Sequence, residues 1–241
     1  MIKYTILCLV FVCSSVNISA QSNAADLNLW TSFEFKHQPT KKVELTAQFL
    51  SRFNQNITQL NANYFSLDAS RKLGNGFRLL FESRFSTSTS WDKLRFGIGL
   101  QKSIKLDSLG KSELKIRGLY QYQYSLAEDI RYGIELPQQN YRLRISWVKK
   151  IYKKTYLTIQ SEPMWRSENG DFFFRRVRSN FTIKRLLPGP WSIEFGYTRQ
   201  INFNNPSNIN IVTTGISYEW KKKSKPKKNL INPLKVSPSK K

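Results

Sequence analysis

Cysteine is nearly absent: the chain has two, Cys8 and Cys13, and both fall within its first twenty residues. Without that segment there is no disulfide framework, thiol nucleophile or thiolate-bound metal. Histidine occurs once, at His37 beside Gln38-Pro39, where a turn is expected. One histidine argues against a His-based triad or a multi-histidine metal centre. Long apolar runs are also missing. Mean hydropathy is −0.47, and a polytopic helical membrane protein, which needs several runs of about 20 apolar residues, is excluded. No P-loop, dinucleotide fingerprint or CxxC is found. The expectation is therefore a chain that is not an enzyme and has no cofactor and no metal. Acids are scarce as well, 16 against 39 Lys and Arg, for a formal charge of +23. Aromatics, at 14%, are not scarce, and a disordered chain of that composition is excluded.

Residues 1–20 read as a secretory signal: Lys3, an apolar run from Tyr4 to Val12, and a small-residue exit at Ser19-Ala20. Read as an anchor helix instead, the run falls short of a span. Val12 before Cys13 does not fit a lipoprotein signal, which needs a small residue there.

From Leu27 to Trp220 the apolar positions alternate, the signature of strands with two different faces. The first run sets Leu27, Leu29, Phe33 and Phe35 against Asn28, Trp30, Glu34 and Lys36; the second sets Val43, Leu45, Ala47 and Phe49 against Glu44, Thr46, Gln48 and Arg52. Eleven such runs of about ten residues follow one another, separated by turn signals such as Gly74-Asn75-Gly76 and Pro188-Gly189-Pro190. Tilted strands of about 9–11 residues suit a transmembrane barrel. The expectation is an all-β, antiparallel up-and-down transmembrane β-barrel over residues 21–220. Single-chain bacterial barrels have an even number of strands, so the eleven runs are adjusted to 12 strands, with 10 as the alternative. The irregular stretch Ser125 to Asn140 is the expected place of the miscount.

Alternation alone fits a soluble barrel with its apolar face inward equally well. The charges favour the opposite orientation. Arg78, Arg84, Arg95, Arg117, Arg142, Arg144, Arg176 and Arg178 lie at mid-strand on the polar faces, with Glu44, Glu82, Glu162 and Glu194 among them. A narrow lumen suits planar, multi-donor guanidinium groups paired with carboxylates. Lysines gather at one set of turns, including Lys41-Lys42, Lys111 and Lys153-Lys154. The alternate loops are more acidic, with Asp92, Glu128-Asp129, Glu135, Glu168 and Asp171. That makes an object with two different ends. The carboxylate pair Glu128-Asp129 reads as a solvated loop rather than a calcium site.

The last run ends Thr213-Thr214-Gly215-Ile216-Ser217-Tyr218-Glu219-Trp220. The spacing of Gly215, Tyr218 and Trp220 resembles the C-terminal insertion signal of outer-membrane barrels, which implies recognition by the barrel-assembly machinery. More narrowly, Leu29-Trp30, Arg52, Tyr141-Arg142-Leu143-Arg144 and Phe174-Arg175-Arg176-Val177-Arg178 resemble an uncharacterised family of Gram-negative outer-membrane barrels, a domain of unknown function. The resemblance implies a location in the outer membrane and supplies no activity.

Residues 221–241 hold nine lysines, three prolines and no acid, the composition of a disordered tail. Such a tail either tethers electrostatically to anionic lipid or cell wall or only solubilises. Three functional readings remain. The lumen is a narrow pore favouring small anionic solutes; or Arg and Glu close it and leave a structural or interaction barrel; or, more weakly, the chain is a secreted soluble β-protein. No nucleic-acid partner is expected, since the aromatics follow the strand alternation rather than a stacking platform.

Overall fold

The computed structural model of the chain describes residues 26–88, 92–107, 110–126, 137–168, 170–203 and 208–221. The signal segment and most of the lysine-rich tail therefore lie outside the described residues. Within them, eleven strands run in order: β1 (Asp26–Gln38), β2 (Val43–Asn54), β3 (Gln59–Gly74), β4 (Phe77–Thr87), β5 (Asp92–Lys105), β6 (Ser112–Ser125), β7 (Gln138–Tyr152), β8 (Thr155–Glu168), β9 (Asp171–Leu186), β10 (Trp191–Asn202) and β11 (Ile209–Lys221). Each corresponds to one of the eleven alternating runs. Each strand pairs antiparallel with its neighbours in sequence, and the sheet closes into a barrel.

Closure corrects the expected strand number. The barrel has eleven strands, not 12 or 10, and β1 meets β11 in parallel from Asp26↔Ile209 to Gln38↔Lys221. An odd count forces one such pair, because first and last strands of an up-and-down barrel then point the same way. The adjustment to an even number assumed an all-antiparallel ring, and the parallel seam removes the need for it. β6 and β7 pair directly through Gln123↔Gln138, so no strand stands between them in the sheet; residues 127–136 of the stretch expected to hold the miscount lie outside the described residues. Strands of 11 to 16 residues also exceed the expected ten.

The two faces separate as the alternation requires, with the apolar side turned out. Leu67 is 53% and Phe195 60% exposed, while Asn28, Ser66, Gln121, Thr198 and Gln200 are buried in the interior. A soluble barrel with its apolar face inward is not what these residues form. Aromatic clusters mark both ends of the outer surface. Phe35 stacks on Tyr218 and Trp191 meets the same ring edge-on; at the opposite end Trp165, Phe174 and Phe203 lie in series.

The ends also differ in charge. The turns at 39–42, 75–76, 106–111, 153–154 and 187–190 share one end, here the lysine end, and Lys41, Lys42, Lys111, Lys153 and Lys154 all lie in them. Asp92, Glu168 and Asp171 sit at the opposite, loop end. Glu128, Asp129 and Glu135 lie outside the described residues.

Most positive-φ positions fall on residues that tolerate them, including Gly74, Asn75 and Gly76 at φ 108°, 48° and 79°. Ile57 does not. It sits at φ 72° in the turn Gln55–Thr58, after Gln55 and Asn56 at 48° and 54°. A β-branched side chain is strained there by about 1–2 kcal/mol. Ile57→Gly is expected to stabilise the barrel by roughly 1 kcal/mol, read as a higher temperature for loss of the folded band in SDS gels.

Candidate functional site

The polar faces line a string of cavities along the barrel axis. The twelve charged residues singled out in the sequence sit on this inner face, but in three different settings. Toward the lysine end, a cavity of about 460 Å³ is bounded by Glu44, Arg78, Glu82 and Arg117 together with Asp68, Glu113 and Lys115. Charges of both signs mix here: Arg78 donates to Glu44 Oε1 at 3.3 Å, and Arg117 is ion-paired with Glu82.

Midway along the barrel, Glu162 is 3% exposed and gathers two arginines. Arg142 donates to its Oε1 from Nε at 3.1 Å and from Nη2 at 2.7 Å, and Arg144 donates from Nε at 3.0 Å. Pro163 follows Glu162, and the β7–β8 ladder is interrupted there, between Arg142↔Met164 and Ile145↔Ser161. Proline lacks the N–H that the ladder would use. The central cavity, about 370 Å³, is bounded by this cluster, by Asp68 and Glu82, and by Glu194 of β10.

Toward the loop end the acids leave the cavity lining. A cavity of about 410 Å³ is lined by Arg52, Arg84, Lys93, Arg95, Arg142, Arg166, Arg175, Arg176 and Arg178, with no carboxylate in its wall among the described residues. Arg84 and Arg95 are direct cross-strand partners of β4 and β5. Like charges placed opposite one another destabilise a ladder. A second such pair, Arg117↔Arg144 of β6 and β7, has Glu82 and Glu162 to offset it; Arg84 and Arg95 have no ion-paired carboxylate among the described residues.

Four cationic residues of this wall, Arg52, Lys93, Arg166 and Arg175, are not among the twelve, although the alternation sets Arg52 on the polar face. Arg175 precedes Arg176, so a strict period of two sends one of them outward. The β8–β9 register slips between Met164 and Trp165, leaving Arg175 as the extra residue of a bulge. A bulge re-aims side chains, and here both arginines reach the cavity. Arg52 is held between Trp30 and Tyr64, its guanidinium carbon 3.9 and 4.0 Å from the ring centroids, while its Nη1 donates to Tyr64 Oη at 2.9 Å. Cation–π contact on two faces fixes a group that would otherwise sweep the lumen. The pairing of Trp30 with Arg52 across β1 and β2 was readable only once register was known. Arg166, in β8, is ion-paired with Glu168 at 3.5 Å.

The three residues of the terminal pattern separate. Tyr218 and Trp220 point outward at the lysine end. Gly215 faces inward at the parallel seam, where a Cβ would come 2.7 Å from Ser32 Oγ. Close strand approach is thus a second reason for glycine at that position. His37 is a strand residue rather than a turn residue, its ring 4.7 Å from that of Trp220. Among the described residues no group of three His, Cys, Asp or Glu side chains has metal-holding geometry.

No protein-family model matches the chain, and no curated protein matches it. Among solved structures it is similar in fold to a NanC porin, with a TM-score of 0.53 and 11% identity over 82% of this chain and 100% of that one. The fold is thus a porin-like closed β-barrel.

Proposed function

We propose that the chain is an integral outer-membrane barrel whose lumen is a narrow pore favouring small anions. The observation that carries the anion preference is the loop-end cavity, with nine cationic side chains and, among the described residues, no acid in its wall. A ring of one sign in a low-dielectric wall concentrates counter-ions and excludes co-ions. The membrane location rests on the outward apolar face, the aromatic clusters at both ends, the signal-like first twenty residues and the porin-like fold. In this reading the lysine-end turns face the periplasm, the loop end faces outside, the outward face meets outer-membrane lipid, and Gly215, Tyr218 and Trp220 are read by the barrel-assembly machinery. The lysine-rich tail then lies on the periplasmic side, near anionic lipid or cell wall.

A second reading is favoured by the middle of the lumen. The ion pairs of Arg142 and Arg144 with Glu162 and of Arg117 with Glu82 line the central cavity, the smallest of the three at about 370 Å³, and a barrel closed there is a structural or interaction barrel. Reconstitution separates the two. Full-length protein showing heat-shifted mobility is placed in a planar bilayer under a potassium chloride gradient. Steps of current with a reversal potential of the chloride sign are expected. A heat-shifted barrel without steps favours the closed reading, and protein with no heat shift and no membrane retention overturns the membrane reading altogether.

A further inference from the structure

Six arginines of the loop-end cavity, Arg52, Arg84, Arg95, Arg175, Arg176 and Arg178, have no ion-paired carboxylate among the described residues. Their hydrogen bonds within the protein go to neutral groups: Arg52 to Tyr64, and Arg176 and Arg178 to Gln200 Oε1 at 3.3 and 2.7 Å. Nε of Arg52 and Nε of Arg176 are buried without a partner. A pore needs positive charge only in passing. This wall does more, because it places like charges opposite one another at Arg84↔Arg95 and adds two consecutive arginines through a bulge. Both features work against the ladder, and both direct guanidinium groups into one space.

We infer that this cavity is a binding site for a compact anion carrying two or more carboxylate or phosphate groups. The inference rests on the anion-favouring reading of the lumen and names the ligand class of that same site. Guanidinium groups bind carboxylate and phosphate oxygens two at a time. A single monovalent anion leaves most of the six charges unpaired, whereas a multivalent one answers several together. About 410 Å³ lies within the range of about 300–1,000 Å³ typical of small-molecule sites. The clamp of Trp30 and Tyr64 on Arg52 fixes one contact before the ligand arrives, which lowers the ordering cost of binding. Beyond the site the wall is no longer of one sign, since Glu34, Asp68, Glu82, Glu162 and Glu194 stand among the arginines of the next cavity. A multivalent anion entering from the loop end is therefore held there.

The test uses full-length, heat-shift-positive protein in detergent, titrated by calorimetry at low ionic strength with citrate, pyrophosphate and acetate. Citrate or pyrophosphate is expected to bind at submillimolar concentration and acetate about tenfold or more weakly; whichever of the first two is tighter assigns carboxylate or phosphate. Arg95→Gln and Arg175→Gln, made separately, are each expected to weaken the tighter ligand by about tenfold, while Lys102→Gln at the lysine end leaves it unchanged. Each Gln variant removes an unpaired charge, so the folded band is expected to persist; if neither variant folds, the comparison of the three anions on the unaltered chain decides alone. Multivalent anions binding no better than acetate, or equally well to folded Gln variants, overturn the site. Chloride-selective current in a bilayer together with that failure leaves the pore reading standing, and absence of both removes the two together.

Discussion

Glu162→Ala is expected to cost the barrel about 3–5 kcal/mol, the range for removing one partner of a buried charge cluster. Its carboxylate is 3% exposed and accepts from Arg142 and Arg144. Without it, two guanidinium groups remain in the lumen with nothing opposite them, beside the positive wall of the next cavity. The folded band in unheated SDS gels is expected to disappear at a much lower temperature than for the unaltered chain. Removing Arg144 in the same background, as Glu162→Ala with Arg144→Leu, is expected to recover part of the loss, because one uncompensated charge leaves with it. The reciprocal change, Arg142→Ala with Arg144→Ala, separates the two readings of the lumen. In an open pore it alters conductance and ion preference; in a closed barrel it mainly lowers stability. No change in either property removes both assignments for this cluster.

The sequence made the strands legible because burial inside a barrel imposes a period of two on every element, and all eleven runs match strands. It was the count that failed, and for a reason of topology. Parity depends on how the first strand meets the last, and nothing local in Leu29-Trp30 or in Thr213-Thr214 specifies a parallel partner. The inner face was legible to the same degree, since charge at alternate positions has to go to one side. Departures from the period were not. Arg175 becomes an inner residue only through the slip opposite Met164 and Trp165, and a bulge leaves no mark when two arginines stand side by side. Pro163 is a partial exception, because a proline inside a strand announces a break in the ladder. The grouping along the axis was hidden altogether. Arg84 and Arg117 read alike on their strands, yet one faces Arg95 without a carboxylate and the other is paired with Glu82. Only register, which sets positions from strands far apart in sequence at one height, distinguishes them.

That difference between Arg84 and Arg117 supports the second large effect. Arg84→Glu converts an unpaired cross-strand Arg–Arg contact with Arg95 into an opposite-charge pair, and it lowers the formal charge of the loop-end wall by two. The two consequences are expected to run in opposite directions. Stability rises, by about 0.2–1 kcal/mol for the new cross-strand pair with the relief of like-charge repulsion in addition, and the folded band survives to a higher temperature. Selectivity falls, and the reversal potential under a potassium chloride gradient moves toward zero. If Arg84 and Arg95 were merely surplus charge on a structural barrel, the substitution would stabilise and leave ion preference where it was. A substitution that strengthens the fold while weakening the discrimination marks the pair as held in place against stability, the usual relation between a binding surface and the scaffold that carries it. Both quantities come from one purified variant, and a loss of stability with unchanged selectivity contradicts the assignment on each count.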